Sequence, residues 1–288
     1  MSSSEHTEAA LTRWRLDLAY DGSSFHGFAE QPGQETVVGV LRAQLARMLR
    51  LDPAPSIVGA GRTDAGVHAL AQVVHVDLPS PLFPDERGDE AARLIRSLNR
   101  VLARRVVVAR AAPVERTFHA RFSATWRRYR YLVVEDAAPL EFLARIAWGV
   151  EGPLDLRAMN EACESLLGEH DFGSFCRRPA TAAPGVPQRR LVTEAHWREV
   201  EDPWVLAPGR PRVLRFDVQA NSFCHQMVRS LTSTLVGIGA GTLDPAVLTS
   251  RLREPRREGL PSPAPAAGLA LVAVGYGRVA RDPSGFVS

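Results

Sequence analysis

The ten residues Gly59-Ala60-Gly61-Arg62-Thr63-Asp64-Ala65-Gly66-Val67-His68 constrain this chain more than any other stretch, because they set a guanidinium and a carboxylate two positions apart among glycines. Glycines at 59, 61 and 66 allow positive φ and a close approach of backbone to a ligand. The apolar pairs Ile57-Val58 and Val73-Val74 predict a strand on either side. The spacing reads G-x-G-x-x-x-x-G, and no helical periodicity follows it, so the run departs from the phosphate loops of dinucleotide-binding folds. Taken alone, Asp64 reads as a turn aspartate bonded to its own backbone. Its alternative reading is a reactive carboxylate.

The elements around this loop fall into two similar sets. Arg15 to Tyr20 alternates, with Leu16, Leu18 and Tyr20 on one side, and predicts a strand. Between Thr36 and Arg50 the residues Val37, Val40, Leu41, Leu45, Met48 and Leu49 recur at helical spacing, and Pro53 stops the helix. Strands are predicted over 73–78 and 106–109, with a helix over 89–102 between them. The second set has a strand over 126–134, a helix over 155–167, strands over 191–200 and 213–220, a helix over 222–238 capped by Ser222, and a short buried strand over 269–274. Two such sets imply an α+β fold of two lobes, each an antiparallel sheet backed by helices, with a cleft between. The expected boundaries are a loose tail over 1–12, lobes over 13–115 and 116–280, and a second tail over 281–288.

Composition narrows the function classes. All 35 residues counted as Lys+Arg are arginine, so mechanisms that need a lysine are excluded, and any catalytic cation is a permanently charged guanidinium. Cys163, Cys176 and Cys224 have spacings that fit neither a disulfide framework nor a zinc knuckle, and this predicts a reducing cytoplasm. The stretch Met1 to Ala10 lacks an apolar core and reads as a tail rather than a signal peptide, and the uncharged run 259–277 is broken by Pro261, Pro263 and Pro265, so no membrane association is expected.

The net charge of +3 is mild, but it is unevenly spread. From Arg116 to Arg130 there are five arginines and no acid, interleaved with Phe118, Phe122, Trp126 and Tyr129. From Phe172 to Thr193 there is again no acid beside Arg177, Arg178, Arg189 and Arg190. Guanidinium forks suit phosphates and aromatic faces suit unstacked bases; the other reading is an exposed arginine face with its aromatics turned into the core. Arg121, Arg127, Arg128, Arg177, Arg178 and Arg189 are the candidates for contact with a nucleic-acid backbone. The segment 177–188, with Pro179, Pro184, Gly185 and Pro187, reads as a loop that could act as an arm over substrate or be a surface insertion.

The string Gly-Arg-Thr-Asp-Ala-Gly-Val-His at 61–68 resembles the signature of the pseudouridine synthase A family of transfer-RNA enzymes. Other segments agree in order: Tyr20-Asp21-Gly22 with Gly27, 118–125, 127–131, Leu167-Gly168-Glu169-His170-Asp171-Phe172, Phe223 with Met227-Val228-Arg229, and Gly268-Leu269 with 271–274. The resemblance covers about residues 14 to 276. It implies two abutting ferredoxin-like lobes with RNA across the cleft, and isomerisation of uridine to pseudouridine at tRNA positions 38, 39 and 40 in the anticodon stem-loop. It further implies a homodimer in which each RNA touches both subunits, with neither cofactor nor metal. Residue by residue, it makes Asp64 the nucleophile, Arg229 its partner, Arg62 the support for base flipping, Tyr129 the stacking surface for uracil, and Leu269 the apolar floor. The chain departs from the family at Phe28-Ala29-Glu30, where Trp then Gln is common, and at Ala264-Pro265-Ala266-Ala267, which lacks a lysine or histidine.

Two other classes remain open to the sequence. A metal-dependent nuclease or phosphatase would use Asp64 with His68 and His75, although a histidine in an alternating strand is more often a surface or satisfied residue. An RNA-binding protein without turnover would use the arginine-aromatic surface alone, though a carboxylate facing phosphates weakens pure binding. A zinc deaminase lacks its H-x-E and P-C-x-x-C elements.

Overall fold

The computed structural model of the chain describes residues 10–83, 88–136, 139, 141–178, 186–200 and 212–277. Its elements, in order, are β1 (Leu11–Tyr20), α1 (Val37–Leu49), β2 (Ile57–Gly59), β3 (His68–Pro79), α2 (Glu90–Val101), β4 (Val106–Val114), β5 (Trp126–Val134), α3 (Glu141–Ala144), β6 (Trp148–Gly149), α4 (Leu156–Cys163), β7 (Gly168–Asp171), β8 (Arg189–Glu199), β9 (Val213–Ala220), α5 (Met227–Gly239), α6 (Ala246–Arg253) and β10 (Leu269–Gly275). The strands join in one sheet ordered β4-β1-β3-β10-β5-β9-β8-β7, with β2 on β3 and β6 on β5. Mixed α+β architecture was legible in the periodicity. Rather than two separate sheets, the halves share one, closed by β10.

The first half follows from its alternation. Trp14, Leu16, Leu18 and Tyr20 of β1 are buried, and the apolar stripes of α1 (Leu41, Leu45) and α2 (Leu94, Leu98) join them in the same core. Thr36 caps α1 by accepting the Gly39 N–H at 3.2 Å, and Asp89 caps α2 by accepting the Ala92 N–H at 3.1 Å. The other face of β1 carries charge: Arg13 forks Asp77 at 2.8 Å through two nitrogens.

The second half brings β10 back to the middle. It runs antiparallel to β5, pairing Leu269 with Tyr131 and Leu271 with Tyr129, and parallel to β3 through Ala270–His68 and Leu271–Ala69. A strand from late in the chain therefore begins beside the Asp64 loop. α3, β6, β7 and α6 were not foreseen, and α5 starts at Met227 rather than Ser222, because Gln226 takes a left-handed conformation, φ 64°, at its N-terminus and breaks the helical path.

A further correction concerns the cysteines. Cys176 and Cys224 form a disulfide, with Cα atoms 5.6 Å apart, and only Cys163 is a free thiol. The turn after β7 and the segment between β9 and α5 bring the pair together, which a sequence separation of 48 does not reveal. The cysteine spacings thus lose their weight as an argument for a reducing compartment. The tail residues 1–9 and 281–288 and most of the expected arm, 179–185, lie outside the described residues. No helix among the described residues is long and apolar enough to cross a membrane.

Candidate active site

Backbone bonds fix the Asp64 loop at nearly every residue. Ala60 N–H donates to the Val73 carbonyl at 2.8 Å, Phe28 N–H to the Thr63 carbonyl at 3.1 Å, and Gly66 N–H to the Phe25 carbonyl at 3.3 Å. Val67 N–H closes a turn onto the Asp64 carbonyl at 3.1 Å, and Gly66 occupies the third position with φ 78°. A turn that requires positive φ there explains that glycine. Side chains complete the frame: Thr63 Oγ1 meets the Tyr20 hydroxyl at 2.8 Å, and Gln72 Nε2 donates to the Gly61 carbonyl at 3.0 Å. Burial pushes the Tyr20 hydroxyl up to about 12, so it stays neutral as a hydrogen-bonding strut.

Asp64 is left partly open, with 26% of its side chain exposed, and two groups from the second half reach it. Arg229 Nη1 lies 3.4 Å from Oδ2, and His225 Nε2 lies 3.3 Å from Oδ1. Arg229 is itself aimed, since its Nε donates to the Ala264 carbonyl at 2.6 Å while Ala264 N–H returns to the Arg229 carbonyl at 3.1 Å. The stretch just before β10 is held in turn by Tyr131, whose hydroxyl donates to the Pro265 carbonyl at 2.7 Å. Arg229, expected as the partner of Asp64, is thus beside it. Sequence reasoning missed His225, which lies just before α5 and reaches Asp64 only through the fold.

The remaining expected residues are placed as follows. Tyr129 is buried, edge-on to Phe223 at 5.0 Å, and a side chain at Gly61 would meet its hydroxyl at 3.9 Å. Burial first, with Tyr20 and Asp64 nearby, raises its hydroxyl well above the ordinary tyrosine range. Leu269 is buried opposite Tyr131. Arg62 is exposed, and its side chain makes no hydrogen bond or ion pair among the described residues. Phe28, at the position where the family commonly has Trp, is buried and stacks near Tyr20 at 6.4 Å, while Glu30 pairs with Arg42.

The arginine-rich stretch divides between structure and surface. Arg127, expected on RNA, is instead turned inward, donating to the carbonyls of Ala124, Asn221, Ala60 and Arg121 at 2.7 to 3.0 Å. Its place in β5 explains this, because 127 shares the alternating buried positions with Tyr129 and Tyr131. Arg128 lies on the opposite face, only 13% of its side chain exposed, and is paired with Glu194 at 2.8 Å. Arg121 stays exposed over Phe122, itself 76% exposed. Arg178 donates to the Val186 carbonyl, and Arg189 makes a loose exposed pair with Glu169 at 3.5 Å.

The histidines of the hydrolase reading do not converge on Asp64. His68 Nδ1 accepts the Gly22 N–H at 3.1 Å while Nε2 meets the Arg145 carbonyl at 3.0 Å. His75 Nδ1 accepts the Ala120 N–H at 3.0 Å. No group of three metal-ligating side chains occurs among the described residues.

A partly open loop carboxylate at the middle of a mixed sheet, gripped from the far half of the chain, has the arrangement of an enzyme site: a charged group held still beside an opening. Comparison with known proteins makes this specific. The sequence profile of the tRNA pseudouridine synthase family matches residues 18–123 and 162–277, and the chain belongs to that family, whose members are isomerases. It is 40% identical over 267 residues to tRNA pseudouridine synthase A of Cutibacterium acnes, covering 92% of this chain and 89% of that protein. It is 42% identical over 269 residues to the protein of the same name from Frankia casuarinae, covering 92% and 90%. The corresponding figures for that of Bordetella petrii are 40% over 272 residues, covering 92% of each.

Proposed function

We propose that this chain converts uridine to pseudouridine at positions 38, 39 and 40 of the tRNA anticodon stem-loop, with Asp64 as the nucleophile and without a cofactor. The observation that carries the reading is the ion pair of Arg229 with Asp64, 3.4 Å across a sequence separation of 165. A guanidinium that is itself anchored to Ala264 keeps the carboxylate in one place and in a fixed orientation.

The target nucleotide first leaves the stack, which costs a few kcal/mol. Arg62, exposed in the same loop and without a side-chain partner among the described residues, occupies the space the base vacates. Asp64 then attacks the ribose carbon or the uracil ring, and the glycosidic bond breaks as the covalent bond to the carboxylate forms or follows. The uracil turns, its carbon 5 bonds to the ribose carbon, the bond to Asp64 breaks, and the proton lost from carbon 5 is matched by one taken up at the ring N1 that the glycosidic cleavage freed. Tyr129 offers the uracil a neutral aromatic surface, and Leu269 the apolar floor. Arg121, Arg177, Arg178 and Arg189 serve the RNA backbone; Arg127 and Arg128 are taken by the protein itself.

The two halves, 13–115 and 116–280, act as lobes around the bound stem-loop, two copies of the chain act together on tRNA, and the cytoplasm, where tRNA is modified, is the place of action. Tritium release from tRNA labelled at uracil carbon 5 tests this reading. Wild type should release label from the anticodon arm with chelator present, and Asp64→Asn should release none while binding tRNA about as tightly. Appreciable turnover by the variant would remove Asp64 from the mechanism.

A further inference from the structure

A pocket of about 670 Å³ opens beside the N-terminus of α5, and four arginines line it: Arg177, Arg178, Arg256 and Arg257. We infer that this pocket holds phosphates of the RNA strand flanking the nucleotide at Asp64. The inference rests on the tRNA reading above and adds to it a site built partly by the 255–257 segment, which the arginine pattern of the sequence did not single out.

The walls are fixed in place. Ser174, 2% exposed, accepts the Arg256 N–H at 2.9 Å and donates to the Arg251 carbonyl at 2.8 Å, joining the two segments. Gly173 lets them approach, since a side chain there would meet Arg178 Nη2 at 3.2 Å and Pro255 at 3.3 Å. On the inner side, Arg177 N–H donates to the His225 carbonyl at 2.9 Å, and the Cys176–Cys224 disulfide ties the same two segments together.

The charge is not balanced from within. Among the described residues Arg256 pairs with one acid, Glu254, at 3.8 Å, with more than half of each side chain exposed. Arg178 spends a nitrogen on the Val186 carbonyl, and the Arg177 and Arg257 side chains make no hydrogen bond or ion pair among the described residues. The nearby Asp171 Oδ1 is engaged by the N–H groups of Gly173 and Gln188 at 2.9 and 2.8 Å. Like charges gathered this way repel until an anion enters between them.

The lining selects the anion. Small-molecule pockets are mostly apolar with a few placed polar groups, whereas this one is half arginine. Guanidinium forks match phosphate oxygens two at a time, and several forks spread over one groove suit consecutive phosphates of a strand. Its position completes the argument. His225 gives its carbonyl to Arg177 and its ring to Asp64, so one residue separates the pocket wall from the reactive carboxylate.

The test is the salt dependence of tRNA affinity for wild type, Arg257→Gln, and the Arg256→Gln/Arg257→Gln pair, with thermal melting to confirm folding. Each lost phosphate contact should flatten the log-log slope by about 0.7 to 0.9, and the pair by about 1.4 to 1.8. The Arg257 side chain has no hydrogen bond or ion pair among the described residues, so its single variant remains informative if the pair is unstable. Slopes equal to wild type overturn the proposal. So does an unchanged slope accompanied by loss of a calorimetric affinity for inorganic phosphate, which would mark a site for the free anion. Because the readout is binding, a wild type that releases no tritium would overturn the function above and still leave this slope difference to be seen.

Discussion

Arg229 and Asp64 come from opposite halves of the chain and meet at 3.4 Å, while the Nε of the same guanidinium is spent on the Ala264 carbonyl at 2.6 Å. One planar fork therefore sets both the charge and the orientation of the carboxylate. Lysine carries the charge but lacks the fork. Arg229→Lys should lower the single-turnover rate of pseudouridine formation by about 10- to 100-fold, equivalent to the roughly 1.5–3 kcal/mol of a hydrogen bond to a charged group. Affinity for tRNA should change little. A wild-type rate in rapid-quench measurements would show that the second bond is dispensable.

Two arginines close in sequence to the site should fail in opposite ways. Arg127 serves four carbonyls from inside the protein. Arg127→Gln should destabilise the fold by roughly 3 kcal/mol or more, because each buried acceptor left unpaired costs about 1–3 kcal/mol. Arg62 is exposed and uncommitted, so Arg62→Gln should leave stability within about 0.5 kcal/mol of wild type and lower turnover. Denaturant melts beside tritium-release rates separate the two, and a stable, slow Arg127→Gln would contradict the assignment.

That contrast also shows what the sequence made legible. The run Trp126–Val134 read as a strand, and the period of two through Tyr131 and Tyr129, extended back to Arg127, puts that arginine in phase with them on the buried side. The signal was present, but arginine's usual exposure outweighed it. By contrast, the pairing of β10 with β3 through Ala270–His68 joins segments about two hundred positions apart and leaves no local periodicity. Asp64, Arg62 and Arg229 stood out through their motif strings. His225 did not, because its link to Asp64 exists only once α5 has packed against the loop.

All four tyrosines of the chain, Tyr20, Tyr129, Tyr131 and Tyr276, have hydroxyls raised chiefly by burial, Tyr20 to about 12. The folded state holds these protons more tightly than the unfolded chain, whose tyrosines ionise near pH 10. Their contribution to stability is complete below pH 10 and is lost as pH rises toward the folded values, by about 1.4 kcal/mol per pH unit for each tyrosine. Tyrosinate absorbance should stay flat through pH 10 and then rise together with loss of structure. A rise near pH 10 in the folded protein would show that the hydroxyls are open to solvent.

His75 gives a second, acid-side dependence. Burial, then Arg13 and His119, lowers its pKa to about 4, against a smaller opposing pull from Asp77, and its Nδ1 accepts the Ala120 N–H at 3.0 Å. Protonation would remove that acceptor and place a charge against Arg13. Between pH 6.5 and about 4 the unfolded chain binds a proton that the folded chain refuses, so this contribution is present above pH 6.5 and is lost as pH falls toward 4. His75→Asn keeps an acceptor oxygen in place and does not titrate. Its melting temperature should therefore fall less steeply than that of wild type across this range, and parallel curves would show that His75 takes up its proton without strain.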